Sequence, residues 1–234
     1  VTSEEGMIYI QTNDGAPNNR IMASMGIQDR SAWTEVIPEG EFPMSVGSGG
    51  GRLYVSTLEH AVSRIDEYAY DGTHLQTMQL PGVGTVSGFG SKRSETTLYF
   101  SFTNAITPSA TYTYTQDEGV GQIELYRQSA MDFDPSEFVS EQVFYTSKDG
   151  TKIPMTLSYK KGLKRNGKNP TILYGYGGFN ISLTPSFSTS YTVWMEQGGV
   201  LAIPNIRGGG EYGEVWHVAG TQLQKKNVFE DFEA

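Results

Sequence analysis

Cysteine is absent from the 234 residues, which excludes disulfides, thiolate metal sites and a cysteine nucleophile. Basic charge is scarce. Seventeen Lys and Arg stand against 26 Asp and Glu, a net charge of −9, the wrong sign for nucleic acid or an anionic membrane surface. No run approaches the roughly 18 unbroken apolar residues of a membrane-spanning helix, so neither nucleic acid nor membrane is expected as a partner. Histidine is limited to His60, His74 and His217, with no i, i+4 pair of the kind that holds a metal on a helix. No metal and no cofactor are expected. The first residue is Val rather than Met, no targeting signal can be read from it, and the compartment stays open. Aromatic residues, by contrast, make up 12%, which excludes a disordered chain, and the length suffices to bury a sizeable core.

The charge is uneven along the chain. Residues 1–134 carry 7 basic and 17 acidic side chains, whereas residues 135–234 carry 10 and 9. The acidic part repeats. Met7 to Thr12, Leu53 to Thr57 and Leu98 to Thr103 are runs of alternating aromatic and β-branched residues, the signature of half-buried strands. Tyr9, Tyr54 and Tyr99 in them are 45 residues apart. A second strand follows each (Arg20 to Ser24, Ser63 to Tyr70, Thr111 to Thr115), then a third (Trp33 to Ile37, Leu75 to Leu80, Gln122 to Arg127). Short strands over Phe42 to Val46 and Thr85 to Phe89 precede the second and third tyrosines. Four strands per period of this length predict β-propeller blades, with a β-sandwich of accidental spacing as the alternative. The first repeat leaves no room for its opening strand ahead of Glu5-Gly6. A closed ring needs about 4–8 blades, so residues 1–131 are expected to be the last three or so blades of a longer chain's propeller.

From residue 132 the pattern changes to that of an α/β domain. Val139 to Thr146 and Thr151 to Tyr159 read as a hairpin through Ser147-Lys148-Asp149-Gly150. Pro170 to Tyr174 reads as an interior strand buried on both faces. A helix from Thr184-Pro185 to about Gln197, a buried strand over Val200 to Ile206, and a final helix capped by Asn227 and Glu230 follow. That helix stops after about two turns, so this end also reads as an interruption. Glycine-rich loops lie at the ends of both strands, Gly175 to Phe179 and Arg207 to Gly213. Neither has the lysine and hydroxyl of a P-loop or a dinucleotide fingerprint. No serine has glycine at both flanking second positions, as a nucleophile elbow requires, so these residues cannot assemble a Ser-His-Asp triad by themselves.

Three stretches carry a resemblance. Tyr174-Gly175-Tyr176-Gly177-Gly178-Phe179-Asn180, Asn205-Ile206-Arg207-Gly208-Gly209-Gly210-Glu211-Tyr212-Gly213 and Tyr145-Thr146-Ser147-Lys148-Asp149-Gly150 resemble, in order and spacing, signatures of the prolyl oligopeptidase (prolyl endopeptidase) family. The resemblance implies a seven-bladed propeller followed by an α/β-hydrolase domain, here the first part of it over residues 132–234. It also implies hydrolysis of short proline-containing peptides on the carboxyl side of proline, by a triad lying beyond these residues. The partners it implies are such peptides and the remaining parts of the same polypeptide. By position in the motif, Tyr176 resembles the tyrosine that donates to the oxyanion, and Phe179 resembles a residue lining the substrate pocket. Arg207 and Glu211 are expected to pair across the glycine turn. Two alternatives remain at this point: a propeller-type peptide-binding module without catalysis, and a basic-residue-specific peptidase like oligopeptidase B. The latter shares the Arg-Gly-Gly-Gly-Glu stretch but carries Ser-Tyr where this chain has Gly178-Phe179.

Overall fold

The alternating runs form four-stranded antiparallel sheets, one per repeat, in a computed structural model that describes residues 2–4, 6–26, 29–116 and 121–234. The first sheet has strands β1 (Thr2–Glu4), β2 (Met7–Thr12), β3 (Arg20–Ser24) and β4 (Thr34–Ile37), hydrogen-bonded in that order. The second has β5 (Met44–Gly49), β6 (Arg52–Glu59), β7 (Val62–Tyr68) and β8 (His74–Thr77). The third has β9 (Thr85–Gly90), β10 (Thr97–Asn104), β11 (Thr107–Thr115) and β12 (Gln122–Gln128). The expected absence of an opening strand in the first repeat is corrected. Thr2–Glu4 pairs with β2, Thr2 opposite Tyr9, and Gly6 turns between them at φ +84. Three residues are too few to show a pattern in sequence, and Glu5 lies outside the described residues.

Apolar faces stack the sheets in series. Tyr9, Ile21 and Ile37 of the first sheet pack with Leu53 and Val55 of β6. Tyr54 and Ile65 pack the opposite way, with Leu98, Phe100, Phe102 and Tyr114 of the third sheet. The second sheet is therefore covered on both faces, and Leu53, Tyr54 and Val55 are all buried in succession. The evenly spaced tyrosines share one direction: Tyr9 faces the second sheet, Tyr54 the third, and Tyr99 a face left half exposed. A polar pin also joins the second and third sheets. Fully buried Glu67 on β7 accepts from Arg52 at 2.6 Å, from Gln76 at 2.7 Å and from Tyr114 at 2.6 Å. Burial pushes the phenols of Tyr54 and Tyr114 well above the ordinary tyrosine range, so both remain neutral donors.

The fourth sheet is mixed, in the order β13 (Phe138–Thr146), β14 (Lys152–Lys160), β16 (Val200–Pro204), β15 (Thr171–Leu173). The expected hairpin forms, closed by Ser147 N–H to Thr151 O at 2.8 Å, with Gly150 at φ +91. Strand β15 runs parallel to β16 but lies at the sheet edge, with Thr171 and Leu173 exposed. The expectation of an interior strand buried on both faces is corrected, because among the described residues only β16 pairs with it. Three helices complete this part, α1 (Thr189–Glu196), α2 (Glu214–Val218) and α3 (Lys226–Glu233). Helix α1 starts four residues later than expected. Pro185 O accepts instead from Thr85 Oγ1 at 2.6 Å, and extended Ser188 takes the N-cap position. The capping box at Asn227 does not form either. Asn227 lies inside α3 and donates to Ala219 O at 2.9 Å, while Glu230 pairs with Lys226 and Lys148.

Candidate active site

Strand β15 delivers the chain to a turn that carries Tyr176. Tyr174 N–H still donates to Ala202 O at 3.0 Å, extending the parallel pairing by one step. Beyond it the backbone drops onto α3 and the loop after β16, and the glycines permit that approach. A Cβ on Gly177, at φ +58, would lie 2.6 Å from Val228 Cγ1, 2.7 Å from Ile206 Cγ1 and 2.8 Å from Arg207 O. A Cβ on Gly208, at φ +94, would lie 2.5 Å from Gly177 O. The two glycine loops thus touch backbone to backbone. Lys225, just before α3, donates to Gly177 O at 2.8 Å.

The turn leaves through Phe179 and Asn180, both in the left-handed region at φ 53 and 57. A bulky residue there is strained unless its surroundings hold it. Asn180 N–H donates to Gly208 O at 3.2 Å, and Ile181 N–H to Gly178 O at 3.0 Å. His217 Nδ1 lies 2.8 Å from Gly208 O and 3.1 Å from Asn180 N. The backbone of the turn is held while its side chains stay free. Tyr176 is 43% exposed, Phe179 84%, and their ring centroids are 6.5 Å apart. Among the described residues nothing hydrogen-bonds the Tyr176 hydroxyl.

Beneath the turn lies an ion cluster that sequence reasoning missed. Arg207, only 5% exposed, donates through Nη2 and Nε to fully buried Asp231 at 2.5 and 2.9 Å, and through Nη1 to Asp149 at 2.5 Å. Ser147 Oγ donates to Asp231 Oδ1 at 2.6 Å. Hydrogen bonding to Asp231 raises the guanidinium further, and Arg207 in turn holds the Asp149 carboxyl well below the usual range. The expected Arg207–Glu211 pair is corrected. Glu211 points away and accepts from Leu183 N–H at 2.9 Å and Asn205 Nδ2 at 3.2 Å. The cluster joins the 147–150 hairpin, the loop after β16 and α3 across 24 and 58 residues. No local spacing signals partners that far apart.

Among the described residues none of the three histidines meets a serine hydroxyl. His60 Nδ1 lies 2.6 Å from Tyr212 Oη, and His74 Nε2 lies 3.1 Å from Asp66. Among the described residues no group of three His, Asp or Glu could hold a metal ion. A cavity of about 440 Å³ between the first two sheets is lined by Phe42, Thr57, Glu59, Arg64 and Asp66, among others, and neither Tyr176 nor Phe179 reaches it.

Residues 1–128 match the family model for the prolyl oligopeptidase N-terminal β-propeller domain, and residues 185–234 match that of the prolyl oligopeptidase family. A prolyl endopeptidase of Elizabethkingia meningoseptica is 51% identical over 96% of the chain, and one of Dictyostelium discoideum is 35% identical over 98%. The chain spans about a third of the length of these curated relatives, 32% in both cases. Among solved structures, one from a study of two prolyl endopeptidases superposes with a TM-score of 0.89 at 39% identity, covering 99% of this chain and 34% of that one. Prolyl oligopeptidase B of Galerina marginata, bound to a 35mer hydrolysis and macrocyclization substrate, gives 0.87 at 31% identity over 99% of this chain and 33% of that one.

Proposed function

The chain belongs to the prolyl oligopeptidase family, with propeller-type sheets followed by the start of the hydrolase domain, and from that premise we propose that it serves a serine endopeptidase cleaving short peptides on the carboxyl side of proline. In this reading the propeller part ends at residue 131 and the peptidase part starts at residue 132. The Ser-Asp-His triad comes from the portion of the enzyme outside these residues, and Tyr176 supplies one half of the oxyanion hole. The observation that carries the proposal is the contrast at the turn. Its backbone is fixed by Lys225, Gly208 and α3, yet among the described residues nothing hydrogen-bonds the Tyr176 hydroxyl.

That is what an anion stabiliser needs. As a peptide carbonyl becomes tetrahedral, negative charge gathers on its oxygen. A donor already aimed there stabilises it without reorganising, whereas a floppy donor would spend the gain on ordering itself. A neutral phenol suits the task because it withholds its proton from water at neutral pH and donates one strong hydrogen bond. Phe179, its ring centroid 6.5 Å from that of Tyr176 and its side chain largely exposed, offers a ring face against which a proline side chain packs. No cofactor enters this chemistry.

The test is Tyr176→Phe in the full-length enzyme, assayed on a proline-containing chromogenic peptide. Removing one oxyanion donor lowers kcat by about 10²–10³ and leaves KM nearly unchanged, since the interaction forms only in the transition state. An unchanged kcat excludes Tyr176 from the oxyanion hole.

A further inference from the structure

Glu211 is 2% exposed and stands where the glycine run ends and the chain turns toward the propeller sheets. The hydrogen bonds it receives from other residues go to one oxygen: Oε1 accepts from Leu183 N–H and from Asn205 Nδ2. The same Asn205 amide donates to Leu183 O at 2.7 Å, closing a small ring of bonds between the end of β16 and the segment leaving the Tyr176 turn. The other oxygen, Oε2, is buried, and among the described residues no other residue hydrogen-bonds it. The glycines make room for it. A Cβ on Gly209 would overlap Oε2 and lie 2.8 Å from Ile181 O, and one on Gly210 would lie 2.7 Å from Asn180 O. The run of three glycines is thus shaped by a carboxyl folded back over it and by the carbonyls that follow Phe179.

Among the described residues no cation pairs with this group. Arg207, the basic side chain nearest in sequence, is committed to Asp231 and Asp149. Lys225 is turned to Gly177 O, and His217 of α2 to Gly208 O and Asn180 N–H. What faces Glu211 is neutral: the Asn205 amide just after β16, Leu183 N–H on the outgoing segment, its own backbone N–H and the Tyr212 phenol on its own loop. Burial with one oxygen unbonded by any other residue and no counter-charge favours the acid form over the carboxylate. Burial accordingly pushes the Glu211 carboxyl up.

We propose that Glu211 is a carboxylic acid rather than a carboxylate, and that it acts as a positioning residue, fixing the segment after Phe179 to the end of β16 and so holding the turn that presents Tyr176. Its consequence for turnover rests on the oxyanion reading of Tyr176. Its protonation state does not.

Two measurements on the full-length enzyme separate the claims. The infrared difference spectrum of wild type minus Glu211→Gln at pH 7 shows the carbonyl stretch of a protonated carboxyl. In the kinetic arm Glu211→Gln, a neutral isostere, keeps kcat within about threefold of wild type. Glu211→Ala lowers kcat by about 10–10² with a smaller change in KM, as a misplaced catalytic group does. Absence of the infrared band overturns the proposal. So does a Glu211→Gln kcat as low as that of Glu211→Ala, or a Glu211→Ala variant that turns over like wild type. If Tyr176→Phe leaves kcat unchanged while the band is present and Gln rescues, the oxyanion reading fails and the neutral acid stands.

Discussion

At the scale of single residues, the energetic centre of the peptidase part is the Arg207–Asp231 pair rather than any group exposed at the turn. Both side chains are withdrawn from water, and each guanidinium nitrogen finds an oxygen on Asp231, Asp149 or Ser147. Such a pair need not add stability over well-packed apolar residues, but removing one partner strands a buried charge and costs about 3–5 kcal/mol. Arg207→Met should therefore lower the urea midpoint at pH 7 by that equivalent. Arg207→Met combined with Asp231→Leu should be more stable than Arg207→Met alone, since the orphaned carboxylate leaves with its partner. The reverse ranking would mean the pair is merely a surface contact drawn inward. The loss also has a pH signature. Asp149 is held below its ordinary range by Arg207, so its contribution is present above the unfolded carboxyl's titration near pH 4 and fades as pH falls toward the folded value. The gap between wild type and Arg207→Met accordingly narrows below about pH 4.

At the scale of elements, a glycine that looks like any other in sequence decides where the Tyr176 turn lies. Gly177 combines a left-handed φ with contact on three sides, whereas a Cβ on its neighbour Gly178 would find only Tyr176 Cε1 at 3.9 Å and Lys225 Nζ at 4.0 Å. Gly177→Ala should cost about 1–3 kcal/mol by overpacking and lift the turn off α3, while Gly178→Ala stays within about 0.5 kcal/mol of wild type. Equal urea midpoints for the two variants would refute the close packing of the turn on α3. The same pair shows what was legible beforehand. The motif around Tyr176 could be read because its residues are contiguous, and the sheet strands because alternation leaves a period of two. The place of β15 is not legible, since Thr171-Ile172-Leu173 reads alike at an edge or an interior position and only its neighbours decide. Thr184-Pro185 is a good local helix start, overridden by Thr85 holding Pro185 O. Glu211, four residues on, is the nearest acidic partner for Arg207 in sequence, whereas its true partner in α3 is 24 residues away. The role of Glu211 depends on enclosure, which no spacing reveals.

At the scale of the whole molecule, one of the places where the acidic propeller part and the nearly neutral peptidase part meet, besides the Thr85–Pro185 bond, is a hairpin. The turn joining β6 and β7 consists of His60 and Ala61 at φ 54 and 69, both left-handed, where Asn-Gly is the comfortable choice. This strained turn projects into the peptidase part. His60 Nδ1 lies 2.6 Å from Tyr212 Oη, His60 O accepts from Gln142 Nε2 at 2.5 Å, and the imidazole stacks edge-on against Phe42 and Phe144. Burial pushes the Tyr212 phenol up to about 12, so it stays neutral across the working range and the bond does not switch off through its ionisation. Tyr212 directly follows Glu211, which places the contact between the two parts one residue from the group holding the Tyr176 segment. A double-mutant cycle isolates the contact. His60→Gly removes the imidazole and relieves the turn, and Tyr212→Phe removes only the hydroxyl. Because the relief of the turn appears on both legs, it cancels. The remaining coupling, read from urea unfolding, should be about 0.5–1.5 kcal/mol, the net worth of one hydrogen bond. A coupling below about 0.3 kcal/mol, the scatter of independent sites, would mean that the hairpin is held by ring packing and Gln142 alone, and that the two parts communicate without His60.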